Sequence, residues 1–231
     1  MRQPAPSPLL HALIFDLDGV LTDTAELHYR TWQRLADDQG WYFDRAINER
    51  LRGVKRRNSL EIILAENQHT ASEADIAAWL QRKDQYFQVL LTEISPADLL
   101  PGAGELLHAL RAAGIRTALG SASVNARQVV QRLGIADLLD VLADGNTVLH
   151  SKPAPDLFLW IAHKLKITPA NCAVFEDAAA GIDAALAAGM WAIGLGPQER
   201  VGHAHLRFAS LAEVTLPRLL AQLTGIAGAA S

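Results

Sequence analysis

The chain has 231 residues, half of them apolar, and a formal net charge of −4 from 21 basic and 25 acidic side chains. That length suits one large domain or a domain carrying an insertion, and the charge gives no general reason to expect nucleic-acid binding. A single cysteine, Cys172, excludes an internal disulfide and suits a reducing, cytoplasmic setting.

In chain order, residues 1–9 carry Pro4, Pro6 and Pro8 and lack the apolar run of a secretory signal. They are expected to form a disordered tail. The apolar run 12–15 predicts a strand. It delivers Asp16 and Asp18 into a turn at Gly19. Side chains two apart on an extended segment share a side. Two carboxylates held that close repel, so the arrangement calls for a cation or a shared proton.

Residues 25–94 hold helical patterns at 25–39, 58–66 and 72–91 and little that reads as strand. They predict an all-helical insert, left near Thr22 to Thr24 and closed near Ser95-Pro96. Beyond it, strands and helices alternate. Helix 102–113 ends at Gly114, strand 116–120 leads into helix 125–133, and a short strand follows at 140–143. Helix 156–166 opens after Pro153 and Pro155, then come strand 173–175, helix 179–188 and strand 191–195. This rhythm predicts an α/β fold, a Rossmann-like parallel sheet with helices on both faces. The implied domains are a core of 10–23 and 96–231 and a helical cap of 24–95. Residues 178–196 are almost free of charge, but Asp183, Gly181, Gly189 and Gly194 interrupt them. A buried helix followed by a buried strand is expected there, not a membrane span.

In an open parallel sheet, ligands bind beyond the carboxyl ends of the strands. The residues there are Asp16 and Asp18, then Ser121-Ala122-Ser123, then Glu176-Asp177. One carboxylate of the first pair can attack a phosphoryl group while the other moves a proton; a solvated Asx turn is the structural alternative. Glu176-Asp177 offers hard oxygen ligands of the kind Mg²⁺ takes, or a cap for the helix that follows. Ser121, Ser123 and Asn125 offer donors to an anion. Lys152, beside Pro153 and Pro155, is a fixed cation or a solvated loop lysine.

Together these segments resemble the four motifs of the haloacid dehalogenase superfamily: Asp16-Leu17-Asp18-Gly19-Val20, Ser121, Lys152 and Glu176-Asp177. The resemblance spans nearly the whole chain. Within it the chain is most similar to the β-phosphoglucomutase subfamily, through residues 22–28, the cap loop Leu51 to Arg56 with Ser59, Arg82-Lys83, and the loops 121–125 and 151–156. The resemblance implies Asp16 as the nucleophile, Asp18 as general acid and base, and Ser121 and Lys152 as catalytic supports. It also implies Mg²⁺ held by Asp16, the Asp18 backbone carbonyl and Asp177, with Glu176 assisting. The implied activity is a mutase converting β-glucose 1-phosphate to glucose 6-phosphate through β-glucose 1,6-bisphosphate, acting as a monomer on a small phosphosugar.

A mutase needs a second, remote phosphate site. By the same resemblance, Arg56 supplies it, with Thr24, His28, Gly53, Ser59, Lys83, Ala122, Ser123 and Asn125 around the substrate. Trp32 either lines the sugar site or belongs to the core. Lys55 and Arg57 are expected on a solvated cap surface. The chain departs from the subfamily at Val124, where lysine is common, at Lys55 and at Arg57-Asn58, so the cap loop is more basic and a disaccharide phosphate is an alternative sugar. The competing activity is a phosphatase on the same core, in which water attacks the aspartyl phosphate. A catalytically silent interaction module conflicts with the intact Asp16, Asp18, Lys152 and Asp177.

Overall fold

The computed structural model describes residues 10–229; the tail expected over 1–9 lies outside the described residues. Six strands form one parallel sheet: β1 (Ala12–Phe15), β2 (Arg116–Gly120), β3 (Val141–Ala143), β4 (Cys172–Glu176), β5 (Trp191–Leu195) and β6 (Leu206–Phe208). Their order is β3-β2-β1-β4-β5-β6. Phe15 lies opposite Leu119 on one side and Phe175 on the other. The carboxyl ends of β1, β2 and β4 are therefore level, which gathers the residues that follow them.

Both faces of the sheet are covered, and for that reason its strands read as continuous apolar runs. Leu13 and Phe15 pack in one core cluster, Ala12 and Ile14 in another on the opposite face. Phe15 and Phe175 stack at 5.3 Å between ring centroids, and burying each ring contributes about 2 kcal/mol. The first face is packed by α5 (Ala103–Ala112), α6 (Ala126–Arg132) and α10 (Leu216–Ala229), the second by α7 (Asp156–Leu165) and α8 (Ala179–Ala187). The nearly uncharged stretch 178–196 is α8, its turn and β5, as the sequence predicts. Among the described residues no helix is long and apolar enough to cross a membrane.

The insert is helical: α1 (Ala25–Gln39), α2 (Arg45–Glu49), α3 (Arg56–Glu66) and α4 (Glu73–Leu91). Trp32, Leu35, Phe43, Leu60 and Ile63 belong to its own hydrophobic cluster. The far end of α4 does not: Phe87, Leu91 and Ile94 pack into the core cluster of the sheet. The two crossings between the parts are tied together. Leu100 donates its N–H to the Leu21 carbonyl at 2.9 Å, and the Thr22 hydroxyl donates to the Asp98 carbonyl at 2.8 Å.

Four elements escape the sequence reading: β6, α2, α10 and the single turn α9 (Gln198–Val201). The strand expected from 140 begins at Val141, because the Asp140 carboxylate instead accepts the Thr117 N–H at 2.9 Å.

Candidate active site

Asp16 follows β1 directly, and its side chain is almost fully buried. Lys152 Nζ donates to Asp16 Oδ1 and to Glu176 Oε1, each at 2.6 Å, and to the Gly120 carbonyl at 2.9 Å. The lysine side chain has no exposure. The solvated-loop reading of Lys152 therefore fails: the sheet encloses it. Burial alone would lower its pKa, but the Asp16 and Glu176 carboxylates outweigh this and raise it above its ordinary value. Lys152 is thus a permanent cation between two acids. The other Asp16 oxygen, Oδ2, accepts the Asp18 N–H at 3.1 Å.

Glu176 ends β4 with both oxygens engaged. Oε2 accepts the Ala178 N–H at 2.9 Å. Gly181 makes room for it, since a Cβ there would lie 1.8 Å from Oε1. Asp177 does not cap α8, whose first residues receive no side-chain cap. Its Oδ2 instead accepts from Arg52 Nη1 of the cap loop at 2.9 Å. Burial and Asp16 push the Asp177 carboxyl up to about 6 against the opposing pull of Arg52 and Arg200. Gly19 belongs to the same corner: its φ is +80°, and a Cβ would lie 2.3 Å from Asp177 Oδ2.

Asp18 reaches into the cleft. Burial first, then Asp16 and Asp177, hold its carboxyl well above the usual carboxylate range. Its Oδ1 and the Thr24 hydroxyl are both buried with no hydrogen-bond partner.

Asp16, Asp18, Ala122, Ser123, Asn125 and Asp177 line one side of a cleft of about 780 Å³, part of it open to solvent. His28, Trp32, Gly53, Arg56, Ser59 and Lys83 face them from the cap. Thr24, Ser121, Lys152 and Glu176 do not line it; they are buried behind its wall. Ser121 turns its Oγ to the Ser123 N–H at 3.0 Å. Trp32 packs in the cap core and also lines the cleft.

Lys83 is buried, and its Nζ donates to His28 Nδ1 at 2.9 Å. It also lies 5.2 Å from the Trp32 ring centre and 4.6 Å from that of Phe87. Burial, then Arg56, lower its ammonium to about 7. Burial, then Lys83 and Arg56, hold His28 well below its ordinary value, so it is a neutral acceptor.

Arg56 donates to Asp84 Oδ1 at 2.6 Å. The expected solvated surface holds for Arg57, which pairs with exposed Glu61 and Glu73. It does not hold for Lys55, which reaches across to the Val148 carbonyl of the core at 3.1 Å. Arg200 is a site residue that sequence reasoning missed. It donates to Glu49 at 3.0 Å and lies 4.0 Å from Asp177. It sits just beyond β5, where the strand-end rule, applied to every strand, would have found it.

One oxygen from each of Asp16, Glu176 and Asp177 lies within 4.8 Å of the others, and all three residues are buried. In this cluster burial, with the neighbouring carboxylates, raises both Glu176 and Asp177 above the usual carboxylate range, and three such clustered oxygens suit a small hard cation such as Mg²⁺.

A model of the haloacid dehalogenase-like hydrolase family matches residues 10–189. A β-phosphoglucomutase of Bacillus subtilis is 42% identical over 214 residues, 91% of this chain and 94% of that protein. The crystal structure of a β-phosphoglucomutase from Clostridium difficile superposes with a TM-score of 0.91 at 37% identity, covering 95% of this chain and 99% of that one. A phosphorylated carbohydrates phosphatase of Thermotoga maritima is 31% identical over 185 residues, 78% of this chain and 82% of that protein.

Proposed function

The chain belongs to the haloacid dehalogenase-like hydrolase family, and we propose that within it the protein is a mutase interconverting β-D-glucose 1-phosphate and D-glucose 6-phosphate. One observation carries this reading. The cleft that holds Asp16 and Asp18 also holds, on its cap side, Arg56, Ser59 and Lys83. A hydrolase of small phosphates needs cations at one end of its cleft; a transfer between two ends of one sugar needs them at both.

The chain's own residues then divide the work. Asp16 attacks the phosphorus of a bound bisphosphate: a bond forms between a carboxylate oxygen and phosphorus while the bond from phosphorus to the sugar oxygen breaks. Asp18, with its pKa raised, is a proton donor to that oxygen, and in the reverse sense takes the proton from the hydroxyl that attacks the aspartyl phosphate. Lys152 fixes the orientation of Asp16 and holds positive charge beside the transferring group. Ser123 and Asn125 offer side-chain donors to phosphate oxygens, with Ser121 shaping their loop. Arg56 holds the remote phosphate in bidentate fashion. The intermediate, β-glucose 1,6-bisphosphate, turns over in the cleft and returns its other phosphate to Asp16.

Mg²⁺ would be held by Asp16, the Asp18 backbone carbonyl and Asp177, where it would neutralise phosphoryl charge. Glu176, with both oxygens already hydrogen-bonded, would add negative charge nearby and orient Lys152.

The second reading is a phosphatase of small sugar phosphates, supported by the Thermotoga relative and by the shared core. Incubation with β-glucose 1-phosphate, Mg²⁺ and a trace of the 1,6-bisphosphate separates the two, with glucose 6-phosphate expected as the main product and free phosphate as the result that overturns the mutase reading.

A further inference from the structure

Asp84, next to Lys83 on α4, lies where two candidate phosphate donors converge. Its Oδ1 accepts from Arg56 Nη1 at 2.6 Å and from Asn125 Nδ2 at 3.0 Å. Arg56 belongs to the cap and Asn125 to the core. The Asn125 amide is fixed from its other end as well, its Oδ1 accepting from Gln88 Nε2 at 3.2 Å. One carboxylate oxygen thus takes the place of a phosphate oxygen, bridging the cap arginine and the core asparagine across the cleft. Both partners line that cleft, while Asp84 stands at its rim, about one-third exposed.

We propose that Asp84 is an internal anion that holds Arg56 and Asn125 until a phosphosugar binds, and that the remote phosphate of the ligand takes its place. The inference rests on the assignment of Arg56 to that phosphate. The exchange favours phosphate: a phosphomonoester carries about −1.5 to −2 charge and three acceptor oxygens, whereas Asp84 offers one charge. It also sets a threshold. Every ligand must first release Arg56 from a charge-assisted pair, so a dianion keeps the remote site and a weakly held group does not. Between turnovers the same bridge keeps an arginine and an asparagine from opposite walls aimed at one point.

The test measures binding of glucose 1,6-bisphosphate by calorimetry with turnover blocked by Asp16→Asn. In that background Arg56→Ala should weaken binding several-fold and Asp84→Asn should tighten it several-fold, because the amide is a weaker competitor for the guanidinium. Tightening is a result that a purely structural role for Asp84 would not produce. If Arg56→Ala leaves affinity unchanged, the remote-phosphate assignment falls and the proposal with it. If Arg56→Ala weakens binding while Asp84→Asn weakens it or changes nothing, the competitor role alone is overturned. A second measurement needs no substitution at 84. The Asp84 carboxyl-carbon resonance should shift when the bisphosphate is added, and a resonance that stays in place contradicts the exchange.

Discussion

Arg52, on the cap, donates a hydrogen bond at 2.9 Å to Asp177, a carboxylate of the core. The same guanidinium is held by Glu49 at 2.8 Å, and Glu49 also accepts from Arg200 of the core at 3.0 Å. A positive charge thus sits against Asp177, one of the two carboxylates that would bind Mg²⁺, and like charges repel. Arg52→Gln should tighten Mg²⁺ binding in the absence of substrate several-fold, read as a larger Mg²⁺-dependent rise in melting temperature. Weaker or unchanged binding would show that Arg52 supports the metal site.

Lys152 lies between two carboxylates with no exposure of its own. Removing one partner of a buried ion pair costs about 3–5 kcal/mol because the remaining charges stay buried. Lys152→Met should lower the melting temperature by roughly 10 °C for a chain of this size, and it should abolish turnover. A loss of activity with an unchanged melting temperature would contradict the structural half of this role.

Asp16→Asn should abolish all turnover with the fold intact. Asp18→Asn should leave the nucleophile in place and slow transfer by about 10²–10⁴, the usual worth of a positioned acid or base. The two are separated by following the phospho-enzyme with radiolabelled bisphosphate: slow labelling is expected for Asp18→Asn and none for Asp16→Asn. Normal labelling of the Asp16 variant would relocate the nucleophile.

Lys83 has a folded pKa of about 7 against an ordinary 10.5, set by burial first and then Arg56. Between those values the unfolded chain binds more protons than the folded one, so this lysine makes stability rise with pH. Its penalty is greatest below pH 7 and disappears as pH approaches 10.5. The melting temperature of Lys83→Met relative to the parent should therefore be most favourable near pH 7 and fall as pH is raised to 10. A constant difference across that range would mean that Lys83 is charged throughout.

The core was legible because its geometry is local. β1, β2 and β5 have the limits their apolar runs predict, and both faces of each strand are buried. β4 runs one residue further at each end than its apolar pattern, to Glu176, because Lys152 and the Ala178 N–H satisfy a carboxylate that would otherwise end a strand. β6 was hidden by its shortness and by the exposed Arg207 between Leu206 and Phe208. α2 has five residues, too few to show a helical period, although the Asp44 side chain caps it at Ile47 N. In the site, motif order indicated Asp16, Asp18, Lys152 and Asp177. Asp84 lies in none of those motifs, and the contacts of Arg52 and Arg200 come from the cap meeting the core, which pairs residues up to 151 apart in sequence.

Arg56→Ala provides a check on the remote site that does not depend on binding measurements. It should reduce mutase flux far more than hydrolysis of a small aryl phosphate, which has no second phosphate to place. Equal losses in both would contradict the assignment.

The most direct measurement counts two products at once. With β-glucose 1-phosphate, Mg²⁺ and a trace of β-glucose 1,6-bisphosphate, the protein should form glucose 6-phosphate in large excess over free phosphate. Free phosphate as the main product would show that water, and not a sugar hydroxyl, takes the phosphoryl group from Asp16.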